Sequence, residues 1–165
     1  PGRGRALRDV WMASAADFLA CADQELRMDP RELPSILSPL RNGEADLVSG
    51  SRQRLSRRGF YDLAVQWRWL AGEALIRWIT GSTLRDHRSG VVAIAAVAAR
   101  GLAPHVRNTR EFFEMELMLL AQWQGWRVRE FPLLPLVPSR VRPVMPGEFA
   151  RVLRSLWCRR KRRLR

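Results

Sequence analysis

Short apolar runs alternate along this chain with longer segments that have a helical spacing of apolar residues, and this alternation most limits the folds open to it. The segment from about residue 6 to 15 places Leu7 and Trp11 on one face of a helix. An uncharged run between Asp17 and Ala22 follows. Such a short apolar run is typical of a strand that is buried on both faces, as in a parallel sheet.

The same order then repeats. Asp29-Pro30 starts a second helix, with proline at the first helical position, and this helix stops at Asn42-Gly43. Ala45 to Gly50 is the next short strand. Helix, strand, helix and strand, joined by tight loops, predict an α/β sheet with flanking helices.

The second half of the chain is predicted to be mainly helical. In its first helix, Trp67, Trp69 and Trp78 lie on more than one face, so a single core does not account for all of them. Trp and Arg together suit a lipid headgroup region. The predicted elements are helices over 60–80, 91–100, 111–124 and 148–157, a loop over 81–90, a strand over 126–134 and an extended Pro-rich segment over 132–146.

The positive charge is concentrated at the C-terminal end. The 165 residues suit one domain and carry a net charge of +13, of which 139–165 contributes +9. A basic segment of this kind can meet the phosphates of nucleic acid or of anionic lipids, or it can be a solvated, frayed end. The sequence therefore divides into a domain over 1–138 and a basic amphipathic tail over 139–165.

Composition also removes several classes of protein. With 47% hydrophobic residues the chain is not disordered. The two cysteines are too few for a disulfide framework and lack the spacing of zinc ligands, and no signal-peptide pattern opens the sequence, so a reducing compartment is expected. No apolar run reaches the roughly 18 residues that a membrane-spanning helix needs.

Two acids follow the first predicted strand. Ligands of open α/β sheets bind beyond the carboxyl ends of the strands, and Asp23 and Glu25 leave the strand there. Carboxylate oxygens can hold a hard cation such as Mg²⁺ or Mn²⁺, which bridges diphosphate oxygens. The acid-x-acid triplet also occurs as an ordinary surface pair, so its context decides between the two interpretations.

That context resembles one family along nearly the whole chain. The run from Asp17 to Pro30 closely resembles the metal-motif segment of family 2 glycosyltransferases with the GT-A fold, and among these the dolichyl- or polyprenyl-phosphate sugar synthases. Further segments match this family's motifs in order: the Gly-rich Gly2 to Arg8, the E-A-D-V-V-x-G-S-R-like Glu44 to Arg52, the D-x-x-S-G loop Asp86 to Gly90, the acidic helix Phe113 to Leu117 and the G-x-x-V-x-E-x-P strand Gly125 to Pro132.

The resemblance implies a nucleotide-sugar donor site at the acid triplet. Asp23 and Glu25 would hold Mg²⁺ or Mn²⁺, and Asp23, Gln24 and Arg27 would meet the donor diphosphate. The sequence departs from the family here, because Glu25 stands where Asp is usual and Arg27 stands where Gln is frequent. The extra methylene of Glu25 moves the carboxylate, and Arg27 repels a nearby cation, so metal dependence is in question.

The resemblance also implies a site for an acceptor phosphate. Arg52, Ser89 and Arg88 would bind it, with Arg85 as an alternative to Arg88, since guanidinium and hydroxyl groups suit phosphate oxygens. A phosphate acceptor is already anionic and needs no general base. The implied reaction is transfer of the sugar with inversion, driven by positioning and charge stabilisation, with Asp23, Glu25 and Arg52 at its centre.

Structural explanations of the same residues stay open at this point. Arg52 could cap its strand or pair with Asp46, and Ser89 could belong to an ordinary turn. Glu114 and Glu116 lie two apart on a helix and face different ways, so one of them is expected to face solvent.

Neither histidine is assigned a role. His87 and His105 are isolated from other candidate ligands in the sequence.

The family's first strand, of the V-V-I-P-x-Y-N-E type, and its acid-ended second strand have no counterpart in these residues. Those strands build most of the nucleotide pocket, so we expect the chain alone to bind nucleotide poorly and to turn over little substrate. The same gap leaves the identity of the sugar and the nucleotide open.

The implied partners are a nucleotide sugar, a lipid phosphate and the anionic cytoplasmic face of a membrane, with a peripheral location and nucleic acid disfavoured. One alternative is a nucleic-acid-binding module that uses the basic tail. A second is a catalytically degenerate glycosyltransferase homologue, in which Glu25 and Arg27 mark a lost metal site.

Overall fold

The computed structural model describes residues 2–22, 29–52, 63–133 and 146–163. Its strands are β1 (Phe18–Cys21), β2 (Leu47–Ser51), β3 (Val92–Ala95) and β4 (Val128–Pro132). Its helices are α1 (Arg3–Ala13), α2 (Leu33–Arg41), α3 (Leu63–Thr80), α4 (Ala96–Leu102), α5 (Phe113–Trp123) and α6 (Pro146–Arg163), with short 3₁₀ turns at Pro30–Glu32 and Ala103–His105. The predicted α/β class is confirmed.

The sheet is mixed rather than parallel. Its strand order is β1-β3-β2-β4; β3 pairs antiparallel with both β1 and β2, and β2 pairs parallel with β4. The prediction that the first strand is buried on both faces, as in a parallel sheet, is wrong. Ala20 of β1 is exposed because α2, the helix on that side of the sheet, packs on β2 and β3 instead.

The segment predicted as one helix over 91–100 is a strand followed by a helix. Val92–Ala95 forms β3, and α4 begins only at Ala96. Val92, Ala93 and Ile94 are all buried because β3 has a paired strand on each side and packed residues on both faces. A run that is apolar throughout carries no period that separates a buried strand from a buried helix.

Alternating residues of β2 and β3 point into two different cores, as the pleat of a strand requires. One core lies between the sheet and helices α1, α4 and α5, and includes Trp11, Leu47, Val92, Ile94, Phe113 and Leu117. The other lies against α2 and includes Ile36, Leu40, Val48, Ala93 and Leu133. Both faces of the central strands are therefore covered by apolar cores, and polar groups lie at the strand ends.

A third core joins the C-terminal helix to the rest of the fold. Ile76 of α3, Met115 and Leu119 of α5, and Leu153 and Leu156 of α6 are buried together. The basic segment predicted as a tail thus contains a helix that packs on the domain. The predicted boundary at residue 138 lies outside the described residues.

Glu114 and Glu116 are both buried, so the prediction that one of them faces solvent is wrong. Their exposed fractions are 6% and 4%. Helix α5 is covered on one side by the sheet and α1 and on the other by α6, which leaves no solvent face at these positions. Each carboxylate has a cationic partner, Arg3 for Glu114 and Arg159 for Glu116, and such pairing is what makes buried acids tolerable.

Glycine allows α1 to lie close to α5. A β-carbon at Gly4 would overlap with the β-carbon of Phe113, whose ring in turn packs edge-on against Trp11 at a centroid distance of 6.1 Å. The Gly-rich segment at the start of the chain therefore serves helix packing.

Candidate active site

A polar loop, residues 81–91, lies at the edge of the sheet where β2 and β4 end. Because these two strands run parallel, their carboxyl ends meet at one edge, with Ser51 opposite Pro132. Gly50 and the loop residue Val91 are joined by a backbone hydrogen bond of 2.9 Å. In open α/β sheets this edge is where ligands bind.

Arg52 forms a buried two-pronged ion pair with Asp86 of this loop. The Nε–Oδ2 distance is 2.8 Å and the Nη2–Oδ1 distance is 2.9 Å, and the Arg52 backbone N–H donates to Oδ2 at 3.0 Å. Burial alone would raise the pKa of Asp86, but the hydrogen bonds and positive charge of Arg52 outweigh it and hold that pKa below its ordinary value. Asp46, the alternative partner considered for Arg52, pairs with Arg127 instead.

Side chains rather than backbone set the shape of the loop. Five consecutive backbone N–H groups, from Leu84 to Arg88, donate to side-chain oxygens. In order, their acceptors are Ser82 Oγ (3.2 Å), Glu130 Oε1 (2.8 Å), Glu130 Oε1 again (3.0 Å), Glu73 Oε2 (3.1 Å) and Asp86 Oδ1 (3.0 Å). Losing one of these acceptors leaves a donor unsatisfied, so the loop conformation depends on each of them.

His87 lies at the centre of this arrangement. Its Nδ1 is 2.7 Å from Glu73 Oε2, and its Nε2 is 2.8 Å from Ser82 Oγ. Ser82 Oγ is in turn 2.6 Å from Gln122 Oε1 on α5. The imidazole therefore ties the loop to α3 on one side and to α5 on the other.

The structure brings the three predicted acceptor-phosphate residues to this one loop. Arg88 donates from Nε to Glu73 Oε1 at 3.2 Å and lies over the ring of Phe149, with 5.8 Å from its Cζ to the ring centroid. The Ser89 hydroxyl is buried and makes local contacts with the backbone of Val91, as the turn explanation requires. Arg85 is exposed.

The predicted donor and metal residues Asp23, Gln24, Glu25 and Arg27 lie outside the described residues. Among the residues that are described, no cluster of three or more His, Cys, Asp or Glu side chains could hold a metal ion.

At the end of β1, burial raises the pKa of the Cys21 thiol to about 12, and the carboxylate of Glu114 adds to the effect while Arg3 opposes it. The Arg3–Glu114 ion pair, 2.8 Å between Nη2 and Oε1, therefore lies beside the strand end that precedes the acid triplet.

The sequence predicted the loop but not the side chains that hold it in its conformation. Glu73 and Ser82 were not singled out, His87 was assigned no role, and Glu130 appeared only as a letter in a motif. Their partners are 5 to 45 residues away along the chain. The one usable signal was Glu73, an acid within a helix otherwise rich in apolar residues.

A second notable surface is the apolar face of α3, formed by Trp67, Leu70, Ala71, Ala74, Leu75 and Trp78. Every exposed α3 side chain that the structure describes belongs to this face, and Trp67 and Trp78 are 70% and 74% exposed. Trp78 stacks on Trp157 of α6 at 6.5 Å, and the Lys161 ammonium lies 4.8 Å from the centroid of that ring. The apolar face thus continues into a basic one.

None of the helices in the described part of the chain is both long and apolar enough to span a membrane.

Comparison with known proteins finds a related sequence. The chain is 32% identical over 167 residues to glycosyltransferase AglD of Haloferax volcanii, an alignment that covers 94% of this chain and 26% of that protein. The chain thus spans about a quarter of the length of this curated relative. No family model matches the chain.

Solved structures with the same fold include several complexes of one enzyme. The complex of Mycobacterium tuberculosis glucosyl-3-phosphoglycerate synthase with phosphoglyceric acid has a TM-score of 0.59 at 21% identity, covering 97% of this chain and 55% of that one. The complex of the same enzyme with Mn²⁺, UDP-glucose and phosphoglyceric acid also has a TM-score of 0.59, at 20% identity and the same coverage.

Proposed function

We propose that this chain, which belongs to the glycosyltransferases of the GT-A fold, carries the acceptor side of a site that transfers a sugar from a nucleotide-sugar donor to a phosphate-bearing acceptor. The observation that carries the proposal is the loop at the carboxyl ends of β2 and β4, where Asp86 accepts hydrogen bonds from the Arg52 guanidinium and from the Arg88 backbone N–H, and where Ser89 follows Arg88 in the chain. Guanidinium groups held in fixed directions are suited to binding phosphate oxygens.

Within this proposal, Asp86 acts by orienting Arg52. A buried guanidinium needs a carboxylate partner, and the two-pronged contact fixes its plane. The acceptor phosphate is anionic at neutral pH, so it attacks the anomeric carbon directly and the reaction inverts that centre. The chain's own residues then supply position and positive charge rather than proton transfer.

The donor side of the site is proposed on the residues after β1. Asp23 and Glu25 would hold Mg²⁺ or Mn²⁺, since carboxylate oxygens suit both ions, and Gln24 and Arg27 would approach the diphosphate. A bound divalent ion would screen the charge that develops on the departing nucleoside diphosphate. The Mn²⁺ and UDP-glucose bound by the M. tuberculosis synthase support this part by analogy of fold.

The proposed acceptor is a lipid phosphate, polyprenyl or dolichyl phosphate, reached from the cytoplasmic face of a membrane. The apolar face of α3 supports a peripheral membrane location, because exposed Trp residues next to basic ones suit a headgroup region. The exposed side chains of Arg151, Arg154 and Lys161 on α6 would add about 1 kcal/mol each near an anionic surface.

Calorimetric titration of the chain with a short-chain prenyl monophosphate tests the acceptor site. We expect the phosphate to bind and the matching prenyl alcohol not to. Arg52→Gln should weaken binding about tenfold or more, as loss of a charge-assisted contact does. The exposed Arg107→Gln is the control for charge and should bind like the parent chain.

Arg52→Gln also leaves Asp86 buried without its cation, so a second variant is needed. Ser89→Ala removes only a hydroxyl and should weaken the same titration in a chain that still unfolds cooperatively. Equal binding of the phosphate and the alcohol, or full affinity in both variants, would refute the assignment.

A further inference from the structure

We infer that Glu73 and His87 are positioning residues for the acceptor phosphate: Glu73, on the inner side of α3, and His87, in the loop itself, hold Arg88 and Ser89 in place. The inference rests on the proposed function and adds two residues to it that have no counterpart among the residues expected from the sequence.

Glu73 is an acid buried in the middle of a helix. Its carboxylate, 2% exposed, accepts from three donors: the His87 backbone N–H at 3.1 Å, His87 Nδ1 at 2.7 Å and Arg88 Nε at 3.2 Å. All three donors belong to two successive residues of the loop. A buried carboxylate is costly, and an apolar side chain of similar size would serve packing as well or better. The cost of burying the Glu73 carboxylate is explained if this group maintains the conformation of the loop.

His87 fixes the loop from a second direction. An ionised carboxylate only accepts hydrogen bonds, so Nδ1 carries a hydrogen and donates it to Glu73. Nε2 contacts Ser82 Oγ, whose other side-chain contact is Gln122 on α5. The ring is therefore held at both nitrogens and cannot rotate without breaking one contact, which fixes the backbone that leads into Arg88.

Arg88 is the residue through which these contacts act on a ligand. Its Nε contact with Glu73 and its position over Phe149 set the direction of the guanidinium, whose side chain is still 20% exposed. The next residue, Ser89, is held by Val91. Glu73 thus acts on the acceptor site only through other residues, and its own carboxylate does not bind the anion.

Four variants test the inference, with affinities for a short-chain prenyl monophosphate and for UDP measured separately by NMR titration, a method that also measures the weak nucleotide binding expected of this chain. Glu73→Gln keeps the shape but turns one acceptor oxygen into a donor that faces Arg88 or His87. His87→Ala removes both ring contacts, whereas His87→Asn places its amide nitrogen where Nδ1 was. Glu111→Gln, at an exposed acid, is the matched control.

The expected result is a split between the two ligands. Glu73→Gln and His87→Ala should weaken the prenyl phosphate about tenfold or more and leave UDP unchanged, and His87→Asn should recover part of the loss. If Glu73→Gln binds the phosphate like the parent chain, or weakens both ligands equally, the positioning role is wrong while the proposed function stands. If the parent chain does not bind the phosphate at all, both the proposed acceptor site and this inference are wrong.

Discussion

At the scale of single residues, the site contains a buried ion pair between Arg52 and Asp86. Asp86 is fully buried, and its pKa is held below the ordinary value by Arg52 despite the opposing effect of burial. A carboxylate with a depressed folded pKa contributes stability that is present above its unfolded pKa and is lost as pH falls through the folded one. The pair should therefore stabilise the fold near neutral pH and fail in acid.

Asp86→Asn tests this directly. It removes the negative charge that pairs with the buried Arg52 and should lower the free energy of unfolding by about 3 kcal/mol near neutral pH. The difference from the parent chain should shrink below about pH 4, where the parent loses the same contribution. Urea unfolding across pH measures it, with the exposed Asp9→Asn as control. A difference that stays constant into acid would contradict the account.

The two thiols should differ in reactivity. Burial raises the pKa of Cys21 to about 12, and Cys158 is exposed. Since the thiolate is the reactive form, one equivalent of a thiol reagent should react quickly with the native chain and a second only after denaturation. Fast reaction of both thiols in the native chain would show that the end of β1 is open to solvent.

Residue identities within motifs were predictable, and their partners were not. Arg52 and Asp86 were both singled out from the sequence, yet Asp46 was the partner considered for Arg52, because it is close along the chain. The true partner is 34 residues away. Hydrophobic period and local spacing encode which face a residue takes, but not which distant side chain meets it.

At the scale of elements, segments with a clear period were predicted well, and the uniformly apolar segment was not. The amphipathic segments became α1, α2 and α5 within a few residues of the expected ends. The run at 91–95 became a strand. The direction of β1 relative to the neighbouring strand was also predicted wrongly, since a buried strand has the same sequence pattern in parallel and antiparallel sheets.

Packing of α1 on α5 depends on glycine. Gly4→Ala would normally favour a helix, but here the added methyl overlaps with Phe113, so the chain should lose about 1 to 3 kcal/mol of stability. Gly147→Ala, at a helical position with open space around it, should be neutral or stabilising. Thermal unfolding of both variants checks this, and equal behaviour would argue against the close packing.

The apolar face of α3 should bind lipid. Trp67→Ser with Trp78→Ser should reduce sedimentation of the chain with vesicles rich in anionic lipid, whereas Val10→Ser with Met12→Ser, two exposed apolar residues on α1, should not. Binding that is unchanged by the Trp pair would place any membrane contact elsewhere. Binding lost equally in both pairs would point to general adhesion of apolar side chains.

At the scale of the whole molecule, the fold class and the family resemblance were predictable from the sequence because several motifs occur in the family's order. The mixed sheet and the docking of α6 were not. The sequence of α6 shows an excess of positive charge, but Arg159 and Arg160 turn back to Glu116 and to the last carbonyls of α3, and Leu153 and Leu156 are buried. A charge pattern alone does not distinguish a solvated tail from a helix whose other side packs on a core.

The most direct test of the central claim is a transfer assay with the protein that carries this chain. Labelled nucleotide sugars, Mn²⁺ and vesicles containing polyprenyl phosphate would be incubated, and the lipid fraction analysed for a sugar joined through phosphate. The account predicts a lipid-linked sugar with inverted anomeric configuration, formed more slowly in Ser89→Ala and at the parent rate in Arg107→Gln. Transfer that proceeds equally well to an acceptor without phosphate would contradict it.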